Sequence, residues 1–173
     1  MATTYTYTAT FARLELIKMQ VRVALRRSLN ISESDLSKIE RWLDERCIKQ
    51  IIVYAKDSNN LCRAKLELEI DWDEYNFQLS RGKARVTIDD RWVDGTAVEV
   101  DEVIRIFNKF VSSNSLSTSW GFTLNPRWTD TSENRQKLGI GLGSAPPEKW
   151  KGQGRSYTIP ELSELRVGFY FSE

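Results

Sequence analysis

The sequence of 173 residues contains no histidine. This absence excludes a catalytic triad that uses a histidine base and a zinc site that uses histidine ligands. The two cysteines, Cys47 and Cys62, are too few for a zinc site made of cysteine alone. No secretory signal follows Met1, so we expect both cysteines to be free thiols of a cytoplasmic protein. An enzyme built from this chain would have to work with carboxylates, lysine, tyrosine or cysteine.

Long apolar runs and an excess of one charge are also missing. No apolar run approaches the ~20 residues that span a membrane, so no membrane association is expected. The 25 Lys and Arg residues balance 24 Asp and Glu residues, and the net charge of +1 gives no reason to expect a nucleic-acid partner. Aromatic residues are plentiful, with 6 Trp, 6 Tyr and 7 Phe. They suffice for the core of one domain that spans residues 1–173.

Three segments carry the spacing of apolar residues that is typical of helices. The first is predicted to begin near Thr8 or Thr10, and its two apolar stripes predict that it is covered on two sides. The second follows a capping pattern at Ser32 and is predicted to extend to Cys47. The third, about residues 97–112, has the widest apolar arc, and we expect it to be the most buried helix.

Strand patterns separate these helices. A hairpin is predicted from the run Ile51–Tyr54, a polar turn, and an alternating strand over Leu61–Trp72. A weaker strand lies around residues 84–88, and a strong one covers Leu165–Phe171. Helices and strands mixed in this order predict an α+β fold with an antiparallel sheet.

The composition changes between Ser112 and Ser156, where Ser, Gly, Pro, Asn and Thr dominate. The glycines and prolines exclude long helices there. Trp120, Trp128 and Trp150 are too many aromatic anchors for a plain linker. We therefore expect a long irregular segment that lies on the domain surface and is held by its aromatic side chains.

Two patterns could carry chemistry. The glycines at residues 139–143 resemble a phosphate-binding loop, but their spacing and the following prolines favour a flexible turn. Carboxylates could hold Mg²⁺ for a carboxylate-based enzyme, or they could be solvated strand ends and turns. They are Asp71, Asp73, Glu74, Asp89 and Asp90.

The first predicted helix has a basic face. This face is interpreted as a solvated surface or a site for an acidic partner, in preference to nucleic acid. Its basic residues are Arg13, Lys18, Arg22, Arg26 and Arg27.

A family resemblance combines the element order with residues at the two ends of the chain. The residues are Tyr5-Thr6-Tyr7-Thr8, then Thr10-Phe11-Ala12-Arg13 with Lys18 and Leu25-Arg26-Arg27, and finally Gly154-Arg155-Ser156-Tyr157-Thr158. With these residues the chain resembles the HORMA domain, and more narrowly the bacterial HORMA proteins associated with cGAS-like nucleotidyltransferases in CBASS anti-phage systems.

The resemblance implies an α+β, HORMA-like fold, with an antiparallel sheet packed against three main helices. It implies a core of about residues 1–115 and a C-terminal safety belt of about residues 120–173. Such a protein is an adaptor and not an enzyme. It binds a closure-motif peptide as an added strand and closes the belt over it. The closed form binds and activates the nucleotidyltransferase, and an AAA+ ATPase resets it by pulling on the N-terminal segment. Neither a cofactor nor a metal is expected.

The resemblance also implies site residues. The final strand is expected to pair beside the peptide, and the peptide site is expected to include Ile104, Phe107, Val111, Trp120, Leu165, Val167 and Phe169. The ATPase is expected to engage Thr3, Thr4, Tyr5 and Thr6. The chain ends without a tail that carries a closure motif, so a receptor role is expected, with a second HORMA protein left open as a partner. A Mg²⁺-dependent enzyme and a scaffold that binds no peptide are the alternatives.

Overall fold

A computed structural model describes residues 8–93, 95–140 and 152–172. Over these residues the chain forms seven strands and five helices. In chain order they are β1 (Ala9–Ala12), α1 (Arg13–Ser28), α2 (Glu33–Asp44), β2 (Ile48–Lys56), β3 (Cys62–Ile70), α3 (Trp72–Ser80), β4 (Arg85–Ile88), α4 (Val98–Ser113), β5 (Ser117–Leu124), α5 (Ser132–Leu138), β6 (Gln153–Ile159) and β7 (Leu162–Phe171). The fold is α+β, as the sequence predicted.

An antiparallel sheet of five strands forms the centre of the molecule, in the order β5-β2-β3-β7-β6. The predicted hairpin is confirmed, because β2 and β3 pair with Ile51 opposite Leu68 and Val53 opposite Leu66. Strand β7 lies inside the sheet, between β3 and β6. A separate ribbon of two strands pairs β1 with β4. The two edges of the main sheet are therefore β5 and β6.

Helices cover one face of this sheet. Residues opposite each other in an antiparallel sheet point to the same side, and the fully buried residues Val53, Leu66 and Val167 follow this alternation towards the helices. Helix α4 packs on β3 and β7, and its Phe107 is 0% exposed. The strand predicted over Leu165–Phe171 is confirmed as β7. The core lies between this sheet face and the helix layer.

The predicted start of the first helix is wrong. Residues Ala9–Ala12 form β1, which pairs with β4, so the backbone at Thr10 and Phe11 belongs to a strand ladder. Helix α1 begins at Arg13, and no side chain caps it. Of the Tyr5-Thr6-Tyr7-Thr8 segment, residues 5–7 lie outside the described part of the chain.

The most buried helix is α1, which corrects the expectation for α4. Eight residues of α1 are buried against four of α4. The cause is that α1 contacts α2 and α4, both strands of the β1-β4 ribbon, and β7. The prediction that this helix is covered on two sides is therefore confirmed.

Besides β1, two strands and two helices were missed, and the second helix is shorter than expected. Helix α3 begins at Trp72, where a strand was predicted, because the Asp71 carboxylate accepts a hydrogen bond from Glu74 N at 3.0 Å and caps it. Strand β5, helix α5 and the beginning of β6 occupy parts of the segment that was expected to be irregular. Helix α2 ends at Asp44, so Cys47 lies beyond it, although the predicted Ser32 cap is confirmed.

Candidate functional site

Strand β5 forms one edge of the sheet. On its inner side it pairs with β2, with Trp120 opposite Val53 and Phe122 opposite Ile51. On its outer side it pairs with none of the strands that the structure describes. The outward-pointing N–H and C=O groups of an edge strand are a template for another extended chain. The edge of β5 is therefore the candidate site.

An aromatic cluster supports this edge on the helix side of the sheet. The ring of Trp42, from α2, lies 4.7 Å from the ring of Phe122 and 6.3 Å from that of Trp120. Trp120 and Phe122 are themselves 6.3 Å apart. Trp42 is buried, whereas the two β5 side chains are half-buried. The edge thus offers apolar surface beside its backbone groups.

The chain that follows β5 returns to the same cluster. The Trp42 indole N–H donates a hydrogen bond to Leu138 O at 3.0 Å. Leu138 and Ile140 are each 5% exposed and belong to the core. Between them Gly139, with φ of 71°, ends α5 in the left-handed conformation that glycine adopts easily. Helix α5 is therefore docked beside the β5 edge through Trp42.

The opposite side of the β5 edge has a different chemistry. Gly121 leaves room there for the ring of Tyr54, because a Cβ at this glycine would lie 3.1 Å from that ring. Burial raises the pKa of Tyr54 to about 12, and the nearby Cys62 and Glu67 add to the shift. The phenol is therefore neutral at physiological pH, and it supplies a polar group on this side of the edge.

Two further concave regions lie elsewhere on the molecule. A groove of about 460 Å³ runs between α4 and the other edge strand, β6, and its apolar lining includes Ile106, Tyr157 and Phe171. A cleft of about 580 Å³ lies at the end of the sheet and is lined by charges of both signs, among them Arg46 and Asp73. Trp42, Trp120 and Phe122 line neither region.

The structure separates the seven residues that were expected to bind peptide. Ile104, Phe107, Leu165 and Val167 are core residues, at most 1% exposed, because they lie between the sheet and α4. Val111, Trp120 and Phe169 are half-buried and present some surface. Strand β7 has both edges paired, so in this conformation no peptide can add beside it. The residues Thr3, Thr4, Tyr5 and Thr6 lie outside the described chain.

Four of the five acidic residues considered for Mg²⁺ have separate structural roles. Asp71 caps α3, and Asp73 forms an ion pair with Arg127 at 2.6 Å. Glu74 accepts hydrogen bonds from Gln78 and Ser163, and Asp89 accepts one from Arg91 N. Over residues 8–93, 95–140 and 152–172 there is no group of three or more side chains suited to hold a metal ion.

The basic face of α1 is used within the molecule. Lys18 pairs with Asp44 at 3.0 Å, and Arg27 with Asp101. Arg22 and Arg26 pair with Glu40 and Glu33 of α2, and Arg13 with Glu164 of β7. Acidic residues of neighbouring elements therefore partner this face, while Arg26 stays 51% exposed, as expected of a solvated surface; a site for an acidic partner protein stays a prediction.

Trp42 and Phe122 were missed as site residues. Phe122 alternates with Trp120 and Leu124, a strand pattern that was available in the sequence but was masked by the surrounding Ser, Thr and Gly. Trp42 was assigned to an amphipathic helix, and its spacing gave no sign of which strand it faces.

None of the helices in the described ranges is both long and apolar enough to cross a membrane.

No protein-family model matches the sequence, and no curated protein matches it. Among solved structures, the chain is similar to one in the crystal structure of the mitotic checkpoint complex, with 10% identity, coverage of 92% of this chain and 96% of that one, and a TM-score of 0.47. It is similar to a chain of the E. coli MS115-1 HORMA:CdnC:Trip13 complex, with 13% identity, coverage of 100% and 98%, and a TM-score of 0.44. A third is C. elegans HTP-2 bound to the HIM-3 closure motif, at 9% identity, 94% and 85% coverage, and a TM-score of 0.37. A HORMA protein in complex with CdnC and Trip13 is thus among the structures that this chain is similar to.

Proposed function

We propose that this chain is a HORMA-type adaptor that binds a short peptide as an added strand on the outer edge of β5. The observation that carries this proposal is the combination at β5 of an edge unpaired in the described structure and an aromatic cluster beneath it. The position differs from the one predicted from the sequence, because β7 is enclosed by β3 and β6. Of the residues predicted to bind peptide, Trp120 keeps that role in the proposal.

The geometry of the edge defines the chemistry of the peptide. Successive side chains of an added strand point to opposite faces of the sheet. Those on the helix side would contact Trp120 and Phe122, which favour apolar residues. Those on the other side would lie near Gly121 and Tyr54, where space is limited and a phenol can donate a hydrogen bond. We therefore propose a ligand that alternates apolar residues with small or polar ones.

The proposed safety belt starts after β5, at about residue 125, because residues 120–124 belong to the sheet. Its first part docks through Leu138 on Trp42, beside the β5 edge. Its last part, the hairpin β6-β7, pairs with β3 on the other side of the sheet. The two ends of the belt are thus held on opposite sides of β2. This placement supports a belt that is anchored at both ends.

The partners in this proposal come from the family resemblance. The peptide-bound form would bind and activate a cGAS-like nucleotidyltransferase in the cytoplasm during anti-phage defence. An AAA+ ATPase would reset it by engaging Thr3, Thr4, Tyr5 and Thr6. A complex that joins a HORMA protein with CdnC and Trip13 is among the similar structures, which is consistent with such partners.

A binding measurement with matched variants tests the peptide site. A peptide selected on this protein from a random display library is labelled, and its affinity is measured by fluorescence anisotropy. Trp120→Ala should weaken binding by about tenfold or more, since aromatic anchors dominate such interfaces. Tyr157→Ala removes a half-buried aromatic residue from the other edge strand and should leave the affinity within about twofold.

The reverse pattern, in which Tyr157→Ala abolishes binding and Trp120→Ala does not, would move the site to β6. Thermal melting of both variants shows whether each remains folded. The nucleotidyltransferase is tested separately, by product formation with the protein alone and with the protein and peptide. Equal activation in both cases would favour the scaffold alternative, in which no peptide is needed.

A further inference from the structure

A buried ion pair joins the beginning of the described chain to its end. Arg13, the first residue of α1, lies with its Nε 3.0 Å from Oε2 of Glu164 in β7. The two side chains are 5% and 0% exposed. The other ion pairs of α1 are with α2, α4 or its own Glu15, and each has at least one side chain that is more than one-third exposed. The Arg13–Glu164 pair is therefore distinct in both its burial and its position.

The pair is weakly supported by other hydrogen bonds. Arg13 donates from its guanidinium to Glu161 O at 3.3 Å, and the carboxylate oxygens of Glu164 have no hydrogen-bond partner of good geometry. Burial raises the pKa of Glu164, although the charge of Arg13 opposes the shift. Buried ion pairs with such incomplete support contribute little to stability, yet loss of one partner is strongly unfavourable. This pair is thus suited to fix an arrangement and not to strengthen the fold.

Its surroundings connect the β1-β4 ribbon with the hairpin β6-β7. Arg13 N donates to Ala84 O at 2.9 Å, which continues the pairing of β1 beside β4. On the hairpin side, Glu164 O accepts from Asp71 N at 2.8 Å. Glu161, in the turn of the hairpin, forms an ion pair with Arg91, which follows β4. The turn of the hairpin therefore rests on the ribbon, and Arg13 lies where the two meet.

We propose that Arg13 and Glu164 form a latch, which keeps the hairpin β6-β7 on β3 only while β1 stays paired with β4. Displacement of β1 withdraws the guanidinium and leaves the Glu164 carboxylate buried without its counter-charge. That unfavourable state is relieved when β7 leaves the sheet. The link to peptide release rests on the proposed function, whereas the coupling between β1 and the hairpin does not. In this role Arg13 and Glu164 are positioning residues.

Hydrogen exchange on the peptide-free protein tests the latch. Arg13→Met should accelerate exchange of the β6 and β7 amides by about tenfold or more, while amides bonded between β2 and β5 change little. The double variant Arg13→Met/Glu164→Leu replaces both charges with apolar groups and should restore slow exchange. Arg26→Met removes a more exposed pair from the same helix and should have no effect on β7.

A mutant cycle that combines a proline substitution in β1 with the Arg13/Glu164 double variant completes the test. Successive amides of a strand point to opposite sides, so one of Thr10→Pro and Phe11→Pro must remove a bond of the β1-β4 ladder. That variant should accelerate β7 exchange about tenfold or more in the parent protein and have no further effect in the double variant. Equal acceleration in both backgrounds, or acceleration spread over β2 and β5 as well, would overturn the latch. Because no peptide is present, this outcome is independent of whether β5 binds one.

Discussion

Cys47 shows how burial sets the chemistry of a single residue. It lies between α2 and β2, is 0% exposed, and its thiol contacts Trp42 O at 3.4 Å. Burial raises the pKa of this thiol to about 12. Both cysteines are free, as the sequence predicted. A thiol that stays protonated at neutral pH is a poor nucleophile, so Cys47 acts as a small apolar core residue.

The raised pKa of Cys47 predicts that the stability of the protein depends on pH. In the unfolded chain the thiol ionises near pH 9, and in the folded protein near pH 12, so the folded state binds the proton more tightly. The free energy of unfolding should therefore fall as the pH rises from about 9 to about 12. Denaturant titrations of the parent and of Cys47→Val measure this slope, and the variant should have the shallower one. Parallel slopes would show that Cys47 does not titrate in this way.

The second prediction at the scale of a residue concerns the contribution of Phe107 to stability. Its ring is 0% exposed and meets the ring of Phe169 edge-on at 6.2 Å. Phe107→Ala should lower the free energy of unfolding by about 3–5 kcal/mol, because a cavity replaces a fully buried ring. Phe77→Ala is the matched control, since that ring is 50% exposed and should cost less than about 1 kcal/mol. Similar losses in denaturant titrations of the two variants would contradict the core position of Phe107.

At the scale of elements, the sequence predicted those helices and strands whose conformation depends on residues close together in the chain. The hairpin β2-β3 was predictable because alternation and a polar turn lie within one stretch of chain. Helix α3 was not, because the alternation of β3 continues into Trp72 and only the Asp71 cap stops it. Strand β5 is rich in Ser and Thr and gains its conformation from pairing with β2. Elements that depend on a distant partner carry a weak signal in their own residues.

Gly154 provides a prediction for an element, the edge strand β6. A Cβ at this position would lie 2.1 Å from Phe169 O and 2.7 Å from Tyr170 Cα, which are backbone atoms that cannot yield easily. Gly154→Ala should destabilise the protein by about 1–3 kcal/mol and accelerate amide exchange in β6. Thr158→Ala, an exposed position of the same strand, should stay within about 0.5 kcal/mol of the parent. An unaltered β6 in Gly154→Ala would mean that this strand does not pair tightly with β7.

At the scale of the whole molecule, the strand order determines which surfaces are available. The residues of β7 have the right alternation for an edge beside a peptide, yet β6 folds back and encloses it. The same order leaves β5 as an edge, which no pattern within residues 117–124 indicates. The fold class and most helices were therefore accessible from the sequence, whereas the site required knowledge of the strand order. Trp120 was identified from the sequence because an aromatic residue in a polar segment indicates a binding or packing anchor, whatever the order of the strands.

The most direct test of the account is hydrogen exchange of β5 with and without a selected peptide. An added strand bonds to the amides that point outward, so alternate residues of Ser117–Leu124 should exchange at least about tenfold more slowly in the complex. The remaining β5 amides already pair with β2 and should change little. Protection that appears along β6 instead, while β5 stays unchanged, would contradict the central claim that this chain receives a peptide on the β5 edge.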